Sequence, residues 1–146
     1  MKIEKILQLN PGTRISVLNQ PFIYMGRSEI TLDDGSKLFW LYNDDEGMMT
    51  VVPTDEELVL FENVDEEIET SETIFFRSKE FEFNYEDAGN VTGIDGESVT
   101  EEEDRYLFSD YQSSDGEVLR IISNENTGER GVFFGKTVAE EDVAEI

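Results

Sequence analysis

Turn-forming residues punctuate short apolar stretches throughout this 146-residue chain. They stand at Asn10-Pro11-Gly12, Asp33-Asp34-Gly35, Asn43 to Gly47, Asp95-Gly96, Ser114-Asp115-Gly116 and Asn126-Thr127-Gly128. Glycine enters positive φ freely, and Asn and Asp fold their side chains onto the local backbone, so each cluster closes one element and opens the next. The stretches between them are short, apolar and rich in aromatic and β-branched residues, which is the pattern of strands. Strands are predicted over 14–18, 22–26, 37–42, 48–52, 58–61, 72–77, 80–84, 106–111, 117–123 and 130–134. In Phe81-Glu82-Phe83-Asn84-Tyr85 the alternation puts three aromatics on one face and polar groups on the other. Thr54-Asp55-Glu56-Glu57 has the spacing of a helix capping box. The continuous apolar run Leu58-Val59-Leu60-Phe61 behind it favours a strand instead, and residues 139–144 are the other candidate for a short helix. The expected fold is therefore mainly β with little helix.

The two halves echo each other at an offset of 69 residues: Leu38 with Leu107, Phe39 with Phe108, Tyr42 with Tyr111, Gly47 with Gly116, Met49 with Val118 and Val52 with Ile121. Each half then holds an aromatic strand, an acidic turn ending in Gly and an aliphatic strand, the outline of a β-hairpin. This predicts two small, barrel-like or sandwich-like β lobes, residues 1–68 and 69–146, pseudo-duplicated and packed as one compact unit. On that reading Val64 to Glu72 crosses between the lobes and Asn90 to Asp104 is an insertion loop.

Charge is distributed unevenly. The formal net charge is −24, and residues 54–104 alone, with nineteen acidic side chains against Arg77 and Lys79, supply −17 of it. Sixteen aromatic residues supply enough apolar mass for a folded body despite that charge. A field of this sign repels nucleic acid and anionic membranes, because phosphate binding depends on Lys and Arg displacing counterions. It attracts cations and basic protein surfaces, and at minimum it keeps the chain soluble. No run approaches the roughly 20 apolar residues that cross a bilayer, and the start Met1-Lys2-Ile3-Glu4-Lys5-Ile6-Leu7 is too short and interrupted for a signal peptide. A cytoplasmic location without membrane insertion is expected.

The chain has no histidine and no cysteine, so it lacks the commonest general base, metal ligand and thiol nucleophile. Carboxylate pairs abound, but runs such as Glu66-Glu67 and Glu101-Glu102-Glu103 are solvated, whereas a catalytic carboxyl needs a concave apolar setting to shift its pKa. An EF-hand loop built around Gly47, Gly96 or Gly116 fails at its first or last ligand, where Tyr42, Pro53, Val91, Tyr111 and Ile122 fall. No phosphate-binding glycine motif is present, and Gly135-Lys136-Thr137 lacks the earlier glycine that one requires. No enzyme activity, metal or cofactor is expected.

Several segments resemble a family of bacterial proteins grouped as domain of unknown function 4178. They are Leu9-Asn10-Pro11-Gly12, Phe22-Ile23-Tyr24-Met25-Gly26, Trp40-Leu41, Phe75-Phe76-Arg77-Ser78-Lys79-Glu80-Phe81, Glu86-Asp87-Ala88-Gly89-Asn90-Val91, Gly93-Ile94-Asp95-Gly96, Asp115 to Ile121 and Gly135-Lys136-Thr137-Val138. The resemblance implies a β-rich body and brings no catalytic residue with it.

The function expected from these features is that of an acidic interaction module that binds a basic protein partner. Asp65, Glu66, Glu67, Glu69, Glu72, Glu101, Glu102, Glu103 and Asp104 would supply the field. Trp40, which is most simply a core residue, would in the functional reading join Tyr42, Met48 and Met49 in supplying contact area. The competing expectation, from another class, is a small-molecule or cation-sensing module with an aromatic-lined cleft between the lobes. Mimicry of nucleic acid is a specialised form of the first and needs rigid carboxylates, which Gly-flanked loops disfavour.

Overall fold

The computed structural model describes residues 1–146 and is mainly β. A single helical turn, α1 (Ile3–Ile6), precedes β1 (Arg14–Val17), β2 (Gln20–Ile23), β3 (Gly26–Leu32), β4 (Lys37–Tyr42), β5 (Met48–Val52) and β6 (Glu57–Val64). The second half carries β7 (Thr73–Phe76), β8 (Lys79–Gly96), β9 (Arg105–Gln112), β10 (Glu117–Asn124), β11 (Arg130–Val138) and β12 (Val143–Glu145). The ladder β3-β4-β5-β6-β11-β10-β9-β8 closes on itself because β8 also pairs with β3, giving an eight-stranded antiparallel barrel. Outside the ring, β7 pairs only with β8, and β12-β1-β2 forms a separate small sheet.

Local chemistry sets the corners. Asp34 Oδ1 accepts from the Ser36 amide at 2.9 Å and hydroxyl at 2.6 Å in the β3–β4 turn. Asn124 Oδ1 accepts from the amides of Asn126 and Thr127 in the β10–β11 turn. Two tight hairpins use no glycine at all: Leu18-Asn19 and Arg77-Ser78 both take positive φ, the geometry that matches strand twist. The capping-box segment forms only a 3-10 turn, Pro53–Asp55, before β6 begins, and residues 140–142 form another before β12.

Two features of the ladder were hidden from the apolar pattern. Strand β3 alternates cleanly, but its inward positions begin with Gly26 and Ser28, so hydrophobicity does not announce it. Strand β8 runs for 18 residues, well past the predicted 80–84 and through half of the segment expected to be an insertion loop. Between Phe83 and Tyr85 its register against β9 shifts by a β-bulge. Phe83 therefore faces Tyr111 on the barrel exterior while Tyr85 pairs with Asp110 and turns inward, so the three aromatics do not share a face. Where β8 crosses β3, a Cβ on Gly89 would lie 2.5 Å from the Thr31 carbonyl oxygen, so the close approach at the closing seam requires glycine.

Three apolar clusters hold the fold. The barrel interior contains Ile30, Leu38, Trp40, Tyr42, Met48, Val59, Phe61, Tyr106, Phe108 and Ile122, with Trp40 edge-on to Tyr106 and Phe108. Outside, α1 and the small sheet cover Leu41, Met49, Val51 and Leu58. On the opposite wall the β7–β8 hairpin lays Ile74, Phe76 and Phe81 over Tyr111, Leu119, Ile121 and Val132. Strands β4–β6 and β9–β11 are thus buried on both faces in part, which is why they read as continuous apolar runs.

The expected pseudo-duplicated pair of lobes is not confirmed. Residues 1–68 and 69–146 do not each close a unit; each supplies four strands to one barrel, joined along β3–β8 and β6–β11. The offset of 69 also fails residue by residue. Tyr42 belongs to the interior and Tyr111 to the exterior, while Met49 is exterior and Val118 interior. An odd shift in a strand exchanges the faces, so those pairs are not equivalent positions.

The closing seam makes a direct prediction. Gly89→Ala should lower unfolding free energy by about 1–3 kcal/mol through clash with the β3 backbone, whereas Thr92→Ala at the exposed shift beside it should change little, as measured by urea denaturation.

Candidate functional site

The barrel interior is not uniformly apolar. Register places Arg120 of β10 between Asp110 of β9 and Phe133 of β11, facing inward. Its guanidinium donates from Nε to Asp110 Oδ1 at 2.6 Å and from Nη2 to Asp110 Oδ2 at 2.7 Å, a bidentate pair. Nη1 donates to Thr50 Oγ1 at 3.1 Å, and the rings of Phe61 and Phe108 flank the cation at 4.7 and 5.3 Å. Arg120 is 1% exposed and Asp110 3%, so both charges are fully withdrawn from water. The Tyr85 hydroxyl, turned inward by the bulge, lies 3.5 Å from Nη2.

Glu57 of β6 and Asp87 of β8 lie near this pair. Burial raises the pKa of Glu57, opposed by Arg120 and reinforced by Asp110 and Asp55. Burial likewise raises that of Asp87, opposed by the Ala88 amide and reinforced by Asp34, Asp33 and Asp110. Burial and then the Asp110 charge push Tyr85 well above the ordinary phenol range, opposed by Arg120. The Arg120 fork is spent on Asp110 and Thr50 and does not present a free bidentate face to a ligand. The cluster has the geometry of an internal ion pair that fixes β9, β10 and β5 against one another. No group of three or more acidic side chains converges in a way that could hold a metal ion.

A second polar knot lies at the Gly26–Tyr42 end of the barrel. Ser28 Oγ contacts the hydroxyls of Tyr42 at 2.7 Å, Ser98 at 2.8 Å and Thr100 at 2.6 Å. It anchors the β8–β9 connection, and the acidic run that follows is tied by its backbone. Val91 N donates to Asp104 O at 2.8 Å and Glu103 N to Val91 O at 2.9 Å, while Asp104 Oδ2 accepts from Asn124 at 3.1 Å.

The expected contact patch does not exist. Trp40, Tyr42 and Met48 point into the barrel and Met49 lies under α1 and the small sheet, all four buried. Adjacent Met48 and Met49 do face opposite ways, but the outward one is covered by a further layer. The carboxylates fare differently: Asp65, Glu66, Glu67, Glu69, Glu72, Glu101, Glu102 and Glu103 are exposed, and Asp104 is half-buried. None of these nine is in a salt bridge; Lys and Arg ion pairs go to other acids, such as Arg105 to Asp33 and Lys79 to Asp115. The exposed apolar side chains that sequence reasoning missed are Phe75, Phe83 and Val99, at 77, 48 and 83% exposure. The adjacent pair Phe75-Phe76 in a strand already required one of them to face outward.

A surface groove of about 810 Å³ lies between the β1–β2 hairpin and strands β6 and β11. Phe22, Leu60 and Phe134 line it together with Arg77 and Lys136, and Asp45, Glu46 and Glu62 are on its rim. No helix is long and apolar enough to cross a membrane. Comparison with protein-family models, with curated proteins and with solved structures gives no match to this chain.

Two outcomes are expected for the interior. Asp110→Asn leaves the Arg120 charge buried and uncompensated and should cost about 3–5 kcal/mol, while the double change Arg120→Met with Asp110→Leu should recover most of that loss in chemical denaturation. Glu57 is more easily protonated folded than unfolded, so its ionisation lowers stability as pH rises through its folded-state pKa. Glu57→Gln should therefore raise the melting temperature at pH 7, and the gain should vanish below the usual carboxylate range.

Proposed function

We propose that this chain is a non-enzymatic bacterial protein of the cytoplasm that acts as an acidic interaction module for a basic protein partner. The observation that carries the reading is the state of the carboxylates: Asp65, Glu66, Glu67, Glu69, Glu72 and Glu101–Glu103 are exposed and unpaired in a protein that neutralises other acids with its few cations. Unpaired charge on a closed barrel presents its field without the cost of breaking internal ion pairs. The backbone ties on Glu103 and Asp104 hold that run in place before any partner arrives. Electrostatics of this kind speeds encounter and sets orientation more than it sets final affinity.

A second reading, binding of a small ligand, draws on the groove between the β1–β2 hairpin and β6–β11. Its aromatic walls stand apart from the long acidic runs, and Lys136 there is in no ion pair.

Affinity capture from lysate at about 0.1 M and about 0.5 M salt separates a packed partner from polyanion behaviour, since screening shortens well below 10 Å at the higher salt. A discrete basic protein retained at both is expected. Its association rate should fall about ten-fold at the lower salt when Glu66, Glu67, Glu69 and Glu72 are changed together to Lys, with a flatter salt dependence. Unchanged rates, or capture of many basic proteins at low salt and none at high salt, would overturn the reading.

A further inference from the structure

Outside the closed ring, unpaired strand edges lie in the small sheet and on β7. The small sheet is blunted. Pro21 stands in β2, the Ile23 amide is taken by Asn43 Oδ1 at 3.0 Å, and the Val143 carbonyl of β12 accepts from the Met1 amine at 2.7 Å. Strand β7, Thr73-Ile74-Phe75-Phe76, has no proline, no lysine and no bulge, and pairs with β8 alone. Proteins ordinarily protect such an edge with those devices.

Its free groups can be assigned. The Phe83 amide donates to the Glu72 carbonyl at 2.9 Å, so the antiparallel alternation turns the amides of Thr73 and Phe75 and the Phe75 carbonyl away from β8. The Thr73 carbonyl is satisfied by the Ser71 hydroxyl. On the outer face of the hairpin, Phe75 lies opposite Glu80 and Thr73 opposite Glu82, both carboxylates exposed and without an ion pair. Phe75 is the most exposed aromatic of the chain at 77%. The nearest cation, Arg77, is already engaged with Glu62 at 2.8 Å and stacked over Phe76 and Phe134.

We propose that the free edge of β7 receives an extended segment of the basic partner as an added strand, with an apolar side chain against Phe75 and, on that same face, Lys or Arg reaching across β7 toward Glu80 and Glu82. The occupant follows from charge. A second copy of this chain would bring another −24 to a hairpin whose outer face already carries Glu80 and Glu82, whereas a cationic segment is attracted to them. Backbone pairing supplies affinity and the alternating side chains supply selectivity, as in other strand-addition interfaces. This deepens the acidic-module reading and rests on it.

The test uses the full chain and a labelled short peptide of repeating Lys-Thr-Val-Thr, which puts Lys and Val together on one face, followed by fluorescence anisotropy at low salt. The control is the same peptide N-methylated at every residue, which keeps its charge but can donate along neither edge. Binding of the first peptide is expected, with affinity about ten-fold weaker for the methylated one and for Thr73→Pro, which removes an outward amide and leaves the β8 ladder intact. Phe75→Ala, a change at an exposed side chain that leaves folding untouched, should weaken binding similarly. Slowed amide exchange at Thr73 and Phe75 should accompany binding. If both peptides bind every variant equally, the edge proposal is overturned while the acidic-module reading stands. If neither peptide binds and the Glu66, Glu67, Glu69 and Glu72 reversal leaves partner association unchanged, both fall. A dimer of the chain that Thr73→Pro abolishes would assign the edge to a second copy and also overturn the proposal.

Discussion

Hydrogen bonding between β3 and β8 is what the rest of this molecule depends on. It joins the first and last strands of the ladder, converts a sheet into a ring, and so creates an inside. Without that seam the residues of β4, β5, β9 and β10 would still alternate, but one of their two faces would have nothing to pack against. The seam demands close backbone approach, which accounts for glycine at 89, and it forces β8 to bend, which accounts for the register shifts along that strand. The same strand leaves the ring as half of the β7–β8 hairpin, so barrel closure and the covering of the far wall are tied to one continuous 18-residue element.

Once an interior exists, any charge inside it is costly. Arg120 and Asp110 are tolerated because their geometry is bidentate, Thr50 Oγ1 accepts a further hydrogen bond, and two aromatic faces bracket the guanidinium. The pair also explains the behaviour of the surrounding acids. Desolvation raises the pKa of Glu57 and of Asp87, and Arg120 opposes that rise at Glu57.

The exterior shows a division of labour among charges. Cations are few and mostly paired locally, as with Lys37 and Glu29 or Arg105 with Asp33 and Glu125. The acidic runs of residues 65–72 and 101–104 receive none of them. Leaving like charges unneutralised works against compactness, and the proposed acidic module would give that surplus a use. On the same proposal, exposed Phe75 would add contact area.

The sequence by itself determined the fold class, because turn chemistry at Asp33-Asp34-Gly35 and Asn43 to Gly47 and the apolar runs between such corners are local properties, and β4, β5, β9 and β10 fall close to where those properties put them. It also determined that the long acidic runs would be solvated. It did not disclose β3, whose inward residues at the seam are Gly26 and Ser28 rather than large apolar groups, nor the inward turn of Tyr85, which follows from a bulge that only pairing with β9 creates. Met48 and Met49 alternate as a strand must, yet neither is available for contact, since a second layer covers the outer face. Ring closure, the layers over its walls and the meeting of Arg120 with Asp110, Thr50 and Tyr85 were decided by tertiary structure alone, because each depends on which distant strands become neighbours and in what register.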